Sequence, residues 1–375
     1  MAKAEETYEK LRQLLSPGVP GFAPLPKHPL TDKLLRNMYS EEEAEFLTGC
    51  LNKTWEKVPL KKAAELAGRS IEEAGALWID MVMKGKLPSD GQENVFISAY
   101  LPGVFESYFT LEKDDPERMK LAAEAHRRLL KMAFTPGLEL PIKEPSNFNP
   151  EAGWRFVPAV EPTQKTIEIN KTIKVEHQIL PFEVLGEYLS KYDIFSVVQC
   201  SCRTAVKLAG EPCKRTEENF FLGAGEAVEK AIEAGFGRKL NFDEMMDLLK
   251  KASRAGLVHS TQNMQAPATF ICNCCSCCCG ALIAIKDMRF KGRAANTNFT
   301  PVIDDDLCSQ CGTCAEMCPM EVIKPKEETG QPAMAIDLDY CLGCGVCAAN
   351  CPSDAITLKK TRDHVPVESL PPLFG

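Results

Sequence analysis

The stretch CSQCGTCAEMCP at residues 308–319 returns as CLGCGVCAANCP at residues 341–352. Each cysteine of the second stretch lies 33 residues after its counterpart in the first, so the chain contains an internal repeat. Both stretches have the spacing C-x2-C-x2-C-x3-C-P. A glycine after the second cysteine lets the backbone pass close to the sulfur atoms, and the closing proline turns the chain away. The repeat therefore predicts two equivalent sites built on tight loops.

The spacing of these cysteines indicates iron–sulfur clusters. Three thiolates two residues apart can each reach one iron of a cubane, and in this motif the fourth cysteine of each stretch ligates the other cluster. Structural zinc is the alternative, but zinc sites use two cysteine pairs separated by a longer loop. The motif assigns Cys308, Cys311, Cys314 and Cys351 to one [4Fe-4S] cluster, and Cys341, Cys344, Cys347 and Cys318 to the other.

From Phe299 to about Lys359 the chain resembles bacterial two-cluster ferredoxins, and the motif is complete in both halves. The resemblance implies a ferredoxin fold with two [4Fe-4S] clusters. It also implies one-electron transfer at low potential.

Length and composition set the expectations for the rest of the chain. At 375 residues, two or three domains are expected. The first residues contain no apolar segment typical of a secretion signal, and nowhere do eighteen apolar residues run together, so we predict a cytoplasmic protein without a membrane span. Eighteen cysteines in such a chain indicate metal or redox chemistry rather than a disulfide scaffold.

Charge is distributed unevenly along the chain. The formal net charge of −8 argues against a general binder of polyanions. From residue 299 onward, twelve acidic residues stand against five basic ones. An acidic surface can steer a partner that carries a basic patch, although it can also serve solubility alone. A redox partner protein is therefore expected to dock on the acidic ferredoxin face or on the N-terminal domain.

The N-terminal part follows a helix, helix-turn-helix and wing order. Ser40 and Ser70 each precede a glutamate by three residues, which predicts two capping boxes. The turn Asp90-Gly91 and the extended VFISAY follow, and residues 31–100 resemble a winged-helix domain. Residues 31–90 carry nine basic and eleven acidic side chains, which favours docking of a protein over DNA.

The middle of the chain holds nine further cysteines. In residues 166–180 most of the apolar side chains fall at odd-numbered positions, so this segment is expected to form a strand. Two other strands, over 194–199 and 268–272, each end in a cysteine-rich loop. In an open α/β sheet such loops meet at one edge if the strands are neighbours. His259 ends another strand and is interpreted as a packed core residue.

These loops predict a third metal site. Three thiolates from the first loop and one or more from the second would complete another [4Fe-4S] cluster. Zinc held by four of the same thiolates and reactive thiols are the alternatives. The choice among the second loop's cysteines stays open. The candidate ligands are Cys200, Cys202, Cys213, Cys272, Cys274, Cys275, Cys277 and Cys278.

The combination of CSCR, a later cysteine, GLVH and CNCC-x-CCC ahead of a two-cluster ferredoxin resembles poorly characterised multi-cluster iron–sulfur proteins of anaerobic bacteria. This resemblance covers roughly residues 165–360. It implies a third metal site and electron transfer, but it does not indicate a substrate.

We therefore expect an α+β multidomain protein with a winged-helix-like helical domain, a middle α/β cysteine-rich domain and a C-terminal dicluster ferredoxin-like domain. The main hypothesis is an electron carrier or an electron-transferring subunit of an oxidoreductase rather than a free-standing enzyme. The alternatives are an oxidoreductase with a catalytic middle site and a redox-sensing DNA-binding regulator. The expected segments are an arm (1–30), the helical domain (31–135), a Pro-rich connector (136–165), the middle domain (166–298), the ferredoxin domain (299–360) and a tail (361–375).

Overall fold

The computed structural model describes residues 2–16, 24–132, 147–172, 177–218, 220–233, 237–266, 269–292, 294–325 and 334–369. Part of the predicted connector (136–146) and the end of the predicted tail (370–375) lie outside these residues. The chain forms two compact units. The first unit takes residues 1–143, 199–213 and 371–375, and the second takes residues 144–198 and 214–370.

The described residues form fifteen α-helices and twelve short strands. The helices are α1 (Ala2–Leu14), α2 (Pro29–Met38), α3 (Glu41–Cys50), α4 (Leu60–Ala67), α5 (Ile71–Met83), α6 (Phe105–Leu111), α7 (Pro116–Met132), α8 (Val160–Thr172), α9 (Leu185–Leu189), α10 (Ser201–Leu208), α11 (Glu226–Glu233), α12 (Phe242–Arg254), α13 (Gly280–Met288), α14 (Thr313–Met317) and α15 (Val346–Ala349). The strands are β1 (Val58–Pro59), β2 (Asn94–Val95), β3 (Trp154–Val157), β4 (Phe195–Val198), β5 (Phe221–Ala224), β6 (Arg238–Leu240), β7 (Val258–Gln262), β8 (Phe270–Cys274), β9 (Phe299–Ile303), β10 (Ile323–Pro325), β11 (Met334–Ile336) and β12 (Ile356–Lys360).

The first unit is mainly helical, and its helix starts follow the sequence. Both predicted capping boxes are confirmed, because the hydroxyls of Ser40 and Ser70 accept from the backbone N–H of Glu43 and Glu73. Strands β1 and β2 pair antiparallel on either side of α4 and α5. This order agrees with the elements from which a winged helix was predicted, and the winged-helix assignment itself stays a prediction.

A buried ion cluster connects three segments of the first unit. The Lys86 ammonium lies 2.9 Å from a carboxylate oxygen of Glu43 in α3 and 2.9 Å from one of Asp114, which follows α6. Tyr108 donates a hydrogen bond to Asp114, and Tyr39 donates one to the Lys86 carbonyl. Buried charges that are fully paired fix one arrangement of the elements that carry them. The cluster therefore holds the segment after α5 against α3 and α6.

The second unit contains a six-stranded sheet in the order β3-β7-β8-β5-β4-β6, in which every neighbouring pair is antiparallel. The expected α/β middle domain is therefore wrong, and this sheet is of the α+β type. Alternating helices and strands suggested parallel crossovers. However, residues 199–213, which include α10, belong to the first unit, and the strands β4 and β5 on either side of them pair antiparallel.

The two strands that end in cysteines are not neighbours, because β5 lies between β4 and β8. Since β5 runs antiparallel to both, β4 and β8 point the same way and end at the same edge of the sheet. Val198 pairs with Phe221, and the next residue along β5, Leu222, pairs with Ile271. A shared edge was expected from the sequence for neighbouring strands. It arises instead because β5 pairs antiparallel with both β4 and β8.

The expected strand over residues 166–180 is also wrong where the structure describes it. Helix α8 covers Val160–Thr172, and residues 173–176 lie outside the described residues. The Thr166 hydroxyl donates to the Pro162 carbonyl one turn earlier and to the Leu358 carbonyl in β12. Packing on β12 therefore overrides the alternating apolar pattern.

The ferredoxin repeat packs on the sheet within the second unit. Strands β9 and β12 form one antiparallel pair, and β10 and β11 form another. Their apolar side chains share one core with Phe156, Val258 and Leu282 of the sheet and α13. A buried ion pair adds to this contact, because the Lys360 ammonium lies 2.7 Å from a Glu183 carboxylate oxygen. Asn298 donates to the other oxygen of Glu183.

Among the described helices, none is long and apolar enough to cross a membrane.

Candidate metal centres

The first stretch of the repeat forms a loop that closes on helix α14. A cavity here is lined by four cysteines together with Ile303, Ile356 and Pro352. Cys311 is exposed and Cys314 is buried, so one side of this cavity faces solvent. The four cysteines are Cys308, Cys311, Cys314 and Cys351.

The second stretch forms a more enclosed cavity, where apolar side chains such as Val322, Leu342 and Val346 surround the sulfur atoms. Each stretch thus contributes three cysteines to its own cavity and one to the other. The cysteines that line the second cavity are Cys318, Cys341, Cys344 and Cys347.

The thiols of the second cavity are strongly disfavoured as bare anions. Burial, together with the nearby Cys318, raises the pKa of Cys341 to about 11 and raises the pKa of Cys347 well above its usual value. In the solvent-facing cavity, by contrast, hydrogen bonding with Thr313 and Ser309 lowers the pKa of Cys311. Iron binding at the second cavity must therefore displace protons, and metal coordination stabilises the resulting thiolates. Four converging cysteines in a dry cavity fit a [4Fe-4S] cluster.

Gly343 is a functional residue that the motif does not single out. Its N–H donates to the Cys341 sulfur at 3.4 Å, and its φ is +69°. A Cβ at this position would lie 2.2 Å from both the Phe299 carbonyl oxygen and the Thr297 hydroxyl. The residue must therefore be glycine to bring the backbone this close to β9 and the sulfur. A small residue between two ligands was the only signal in the sequence.

Arg215 was also missed. Its guanidinium donates to the Glu316 carbonyl at 2.9 Å and to the Met317 sulfur at 3.6 Å, both in α14. It also lies against Gly256. Because α14 carries Cys314, Arg215 anchors the chain that follows Cys213 to a cluster-binding helix. A basic pair after a cysteine gives no sequence signal for such a contact.

The middle cysteine run separates into two sets. Cys275, Cys277 and Cys278 have sulfur atoms that lie within 4.8 Å of one another. The Cys277 sulfur is 3.2 Å from that of Cys275 and 3.7 Å from that of Cys278. The backbone N–H of Cys278 donates to the Cys275 carbonyl, which closes the turn that brings the thiols together. This cysteine group could hold a further metal ion.

The second set of the run is Cys272, Cys274 and Cys279. Cys274 hydrogen-bonds with the thiols of the other two, and these bonds, followed by burial, raise its pKa well above the usual value. The Ser260 hydroxyl lies 3.7 Å from the Cys274 sulfur. Strand alternation places Cys272 and Cys274 on one face of β8, and the turn brings Cys279 back to it. This set is packed in the apolar core of the sheet.

The remaining predicted ligands, Cys200, Cys202 and Cys213, belong to the first unit. Cys200 is the N-cap of α10, and Cys202 packs against the apolar core of that unit. Cys213 is the last residue of its segment and is bonded directly to Lys214 of the second unit. Their place in a joint site with the second loop stays a prediction.

His259 is confirmed as a packed core residue. It is buried, and its two ring nitrogens lie 2.5 Å from the side-chain amide oxygen of Asn273 and 2.8 Å from the Ser253 hydroxyl. Burial lowers its pKa to about 4. The histidine is therefore neutral at physiological pH and joins α12, β7 and β8.

Comparison with known proteins bears on the repeat alone. A family model described as a 4Fe-4S dicluster domain matches residues 307–355. No curated protein and no solved structure matches the chain. The matched residues include both cysteine stretches, so this part of the chain is a ferredoxin-like iron–sulfur region that binds 4Fe-4S clusters.

Proposed function

We propose that this chain is an iron–sulfur electron-transfer protein that relays low-potential electrons between two ferredoxin-type clusters, a metal centre in the middle region and a partner oxidoreductase. The observation that carries the proposal is the pair of cavities, each lined by four cysteines, inside the matched region. No other residues of the chain are needed to complete either ligand set.

The proposed ligands follow the crossed pattern of the two cavities. Cys308, Cys311, Cys314 and Cys351 hold one [4Fe-4S] cluster, and Cys341, Cys344, Cys347 and Cys318 hold the other. When bound, such clusters supply reversible one-electron transfer. The protein's own part is to exclude water from the second cavity and to direct the Gly343 N–H at the Cys341 sulfur. Hydrogen bonds to ligand sulfurs and solvent exposure are what tune the reduction potential.

The two cavities differ in their exposure to solvent, and this difference indicates a direction for the electron relay. Cys311 is exposed, whereas all four ligands of the second cavity are buried or half-buried. Electrons cross the molecular surface most readily at the exposed ligand, so the first cavity is the proposed point of exchange with the partner. The second cavity is the inner cluster site of the proposed relay, and it shares its apolar core with the middle cysteines Cys274 and Cys279.

The surface beside the first cavity supports a partner with a basic patch. Asp304, Asp305 and Asp306 are all exposed and lead directly to Cys308. Leu307 in the same loop is 56% exposed. Charged side chains beside an exposed apolar residue are typical of transient docking, where electrostatics raise the association rate.

The first unit also supports docking of a protein rather than DNA. Leu66, Ile71, Ile79 and Met83 of α4 and α5 are each about half exposed. A DNA-reading helix needs basic side chains at the groove. Apolar side chains on this face, together with the acidic balance of the domain, favour a protein contact.

The test of the proposed function is anaerobic purification followed by iron and acid-labile sulfide analysis, with EPR of the reduced protein. We expect at least about eight iron and eight sulfide per chain and signals of two interacting low-potential clusters. The double variant Cys308→Ser/Cys341→Ser should lose both signals, and the isolated core variant Cys50→Ser should keep them. A chain that binds zinc without sulfide at the repeat would falsify the proposal.

Docking is tested by electron exchange with a basic c-type cytochrome at low ionic strength. Asp305→Lys/Asp306→Lys should slow the exchange severalfold, and added salt should shrink the difference. The matched variant Glu5→Lys/Glu6→Lys makes the same charge change on α1 of the first unit. Equal slowing in both variants would show that net charge, not the loop before Cys308, controls the encounter.

A further inference from the structure

The spacing of thiols in the middle region distinguishes between two kinds of metal centre. A single tetrahedral ion with metal–sulfur bonds of about 2.3 Å holds its sulfur atoms about 3.8 Å apart. A cubane binds each thiolate to a different iron, which spreads the four sulfur atoms to roughly 6 Å. The separation of the ligand sulfurs therefore indicates the number of metal ions before any metal is bound.

Cys275, Cys277 and Cys278 have the short spacing. Their sulfur atoms lie within 4.8 Å of one another, with separations of 3.2 and 3.7 Å from Cys277 to its two neighbours. Cys275 and Cys278 also form a C-x2-C pair, which is the usual spacing of two ligands to one ion.

The ferredoxin repeat provides an internal comparison. Within the part of the chain that the structure describes, which includes all eight cysteines of the repeat, no three of those eight sulfurs lie within 4.8 Å of one another. Yet four of them line each cavity. Wide spacing at the cluster sites and narrow spacing in the middle run thus occur in the same structure.

We propose that Cys275, Cys277 and Cys278 hold a single thiophilic metal ion, iron or zinc, in place of the third [4Fe-4S] cluster that the sequence favours. All three thiols belong to the second unit, and the bond from the Cys278 N–H to the Cys275 carbonyl closes the turn that brings them together.

Metal analysis of the full chain, purified anaerobically, tests the centre. We expect about eight iron and eight sulfide from the repeat plus one further ion, either a ninth iron or one zinc. A ninth iron should give the EPR signal of a mononuclear thiolate-bound ferric site after oxidation, and zinc should show sulfur neighbours at about 2.3 Å in X-ray absorption. About twelve iron and twelve sulfide, or no ion beyond the repeat's eight irons, would overturn the inference.

Variants separate this inference from the proposed function. Cys277→Ser should remove the one further ion and leave the iron and sulfide of the repeat unchanged. Cys279→Ser, one residue beyond the ligand set in the same loop, should keep the ion. Loss of four irons and four sulfides in Cys277→Ser would mean a cubane, and loss of the ion in Cys279→Ser would overturn the ligand set. Failure of the repeat to bind iron would contradict only the electron-transfer proposal.

Discussion

The ferredoxin repeat and the middle cysteine run are both rich in cysteine, but they arrange their cysteines in opposite ways. The repeat spreads eight cysteines over two loops that exchange their last ligand, and the sulfurs stay far apart around two cavities. The middle run concentrates six cysteines within residues 272–279, and the alternation of β8 followed by a turn divides them into two sets. Cysteine density alone therefore says little about the size of a metal centre.

The buried thiols of the two regions also have different surroundings. In the repeat, buried thiols such as Cys347 face a cavity that a cluster can fill. In the middle run, the thiol of Cys274 is satisfied by other thiols and lies near Ser260. We infer that Cys272, Cys274 and Cys279 form core contacts, whereas Cys275, Cys277 and Cys278, whose sulfur atoms the turn brings within 4.8 Å of one another, form the ligand set.

The largest expected effect tests the exchange of ligands between the two stretches. Cys318→Ser should remove the same cluster signal as Cys341→Ser, although Cys318 belongs to the first stretch. Cys351→Ser should remove the same signal as Cys308→Ser. The reason is that each cavity takes its fourth thiol from the other stretch. EPR of the reduced variants, with iron counted per chain, provides the measurement. If Cys318→Ser instead resembled Cys308→Ser, each stretch would hold its own cluster and the comparison with the middle run would lose its basis.

The repeat could be predicted from sequence because its ligands are fixed by local spacing. The crossed sets follow from the motif alone, and the structure brings those sets to separate cavities, with Cys318 among the second stretch and Cys351 among the first. The capping boxes at Ser40, Ser70 and Asn241 were predictable for the same reason, since donor and acceptor are three residues apart.

The middle region could not be predicted to the same depth because its arrangement depends on distant pairings. No local pattern shows that β5 separates β4 from β8, or that residues 166–172 pack as a helix on β12, more than 180 residues later. The division of the middle cysteines into two sets depends on which face of β8 meets the core. The sequence shows where the cysteines lie along the chain, but tertiary packing decides which of them form core contacts and which converge on a metal site.

A second prediction tests whether the repeat and the middle sheet fold together. Lys360→Met leaves the Glu183 carboxylate buried without its cation, which should lower the free energy of unfolding of the second unit by about 4 kcal/mol. Denaturant unfolding of the variant and of the unchanged protein measures the loss.

The control for the buried pair is Lys165→Met, which removes the exposed partner of Asp354 in the same unit. Exposed ion pairs contribute little, so its unfolding curve should nearly match that of the unchanged protein. Equal losses in the two variants would show that β12 is not held to the sheet by the Lys360–Glu183 pair.

A third prediction addresses the backbone of the repeat. Gly343→Ala should lower the free energy of unfolding by roughly 3 kcal/mol, because the new Cβ meets β9 and φ is positive. Gly312→Ala is the matched control, since its φ is +75° but no atom lies within 4 Å of its Cβ. It should cost only about 1 kcal/mol. The difference in the free energy of unfolding between the two variants, measured with denaturant, gives the cost of the contact between the new Cβ and β9. A shift in the potential of the second cluster should accompany Gly343→Ala alone, and equal costs would contradict the close approach.

The smallest effect concerns the strands beneath the middle run. The pKa of His259 is about 4 in the folded protein and about 6.5 when unfolded, so the unfolded chain binds more protons between these values. Stability from this group is complete above pH 6.5 and falls as pH decreases toward 4. Between pH 6.5 and 5 the unchanged protein should lose about 2 kcal/mol that His259→Gln does not lose.

Unfolding curves at pH 7, 6 and 5 give the difference between the two proteins, so that acid effects on the clusters, which are common to both, cancel. Because Asn273 bonds to His259 and stands between Cys272 and Cys274, the same variant reports on the core set of cysteines. The single ion proposed at Cys275, Cys277 and Cys278 should remain in His259→Gln, since these thiols belong to the other set. Loss of that ion together with the pH dependence would show that the two sets act as one site, and the contrast between packed and ligating cysteines would then fail.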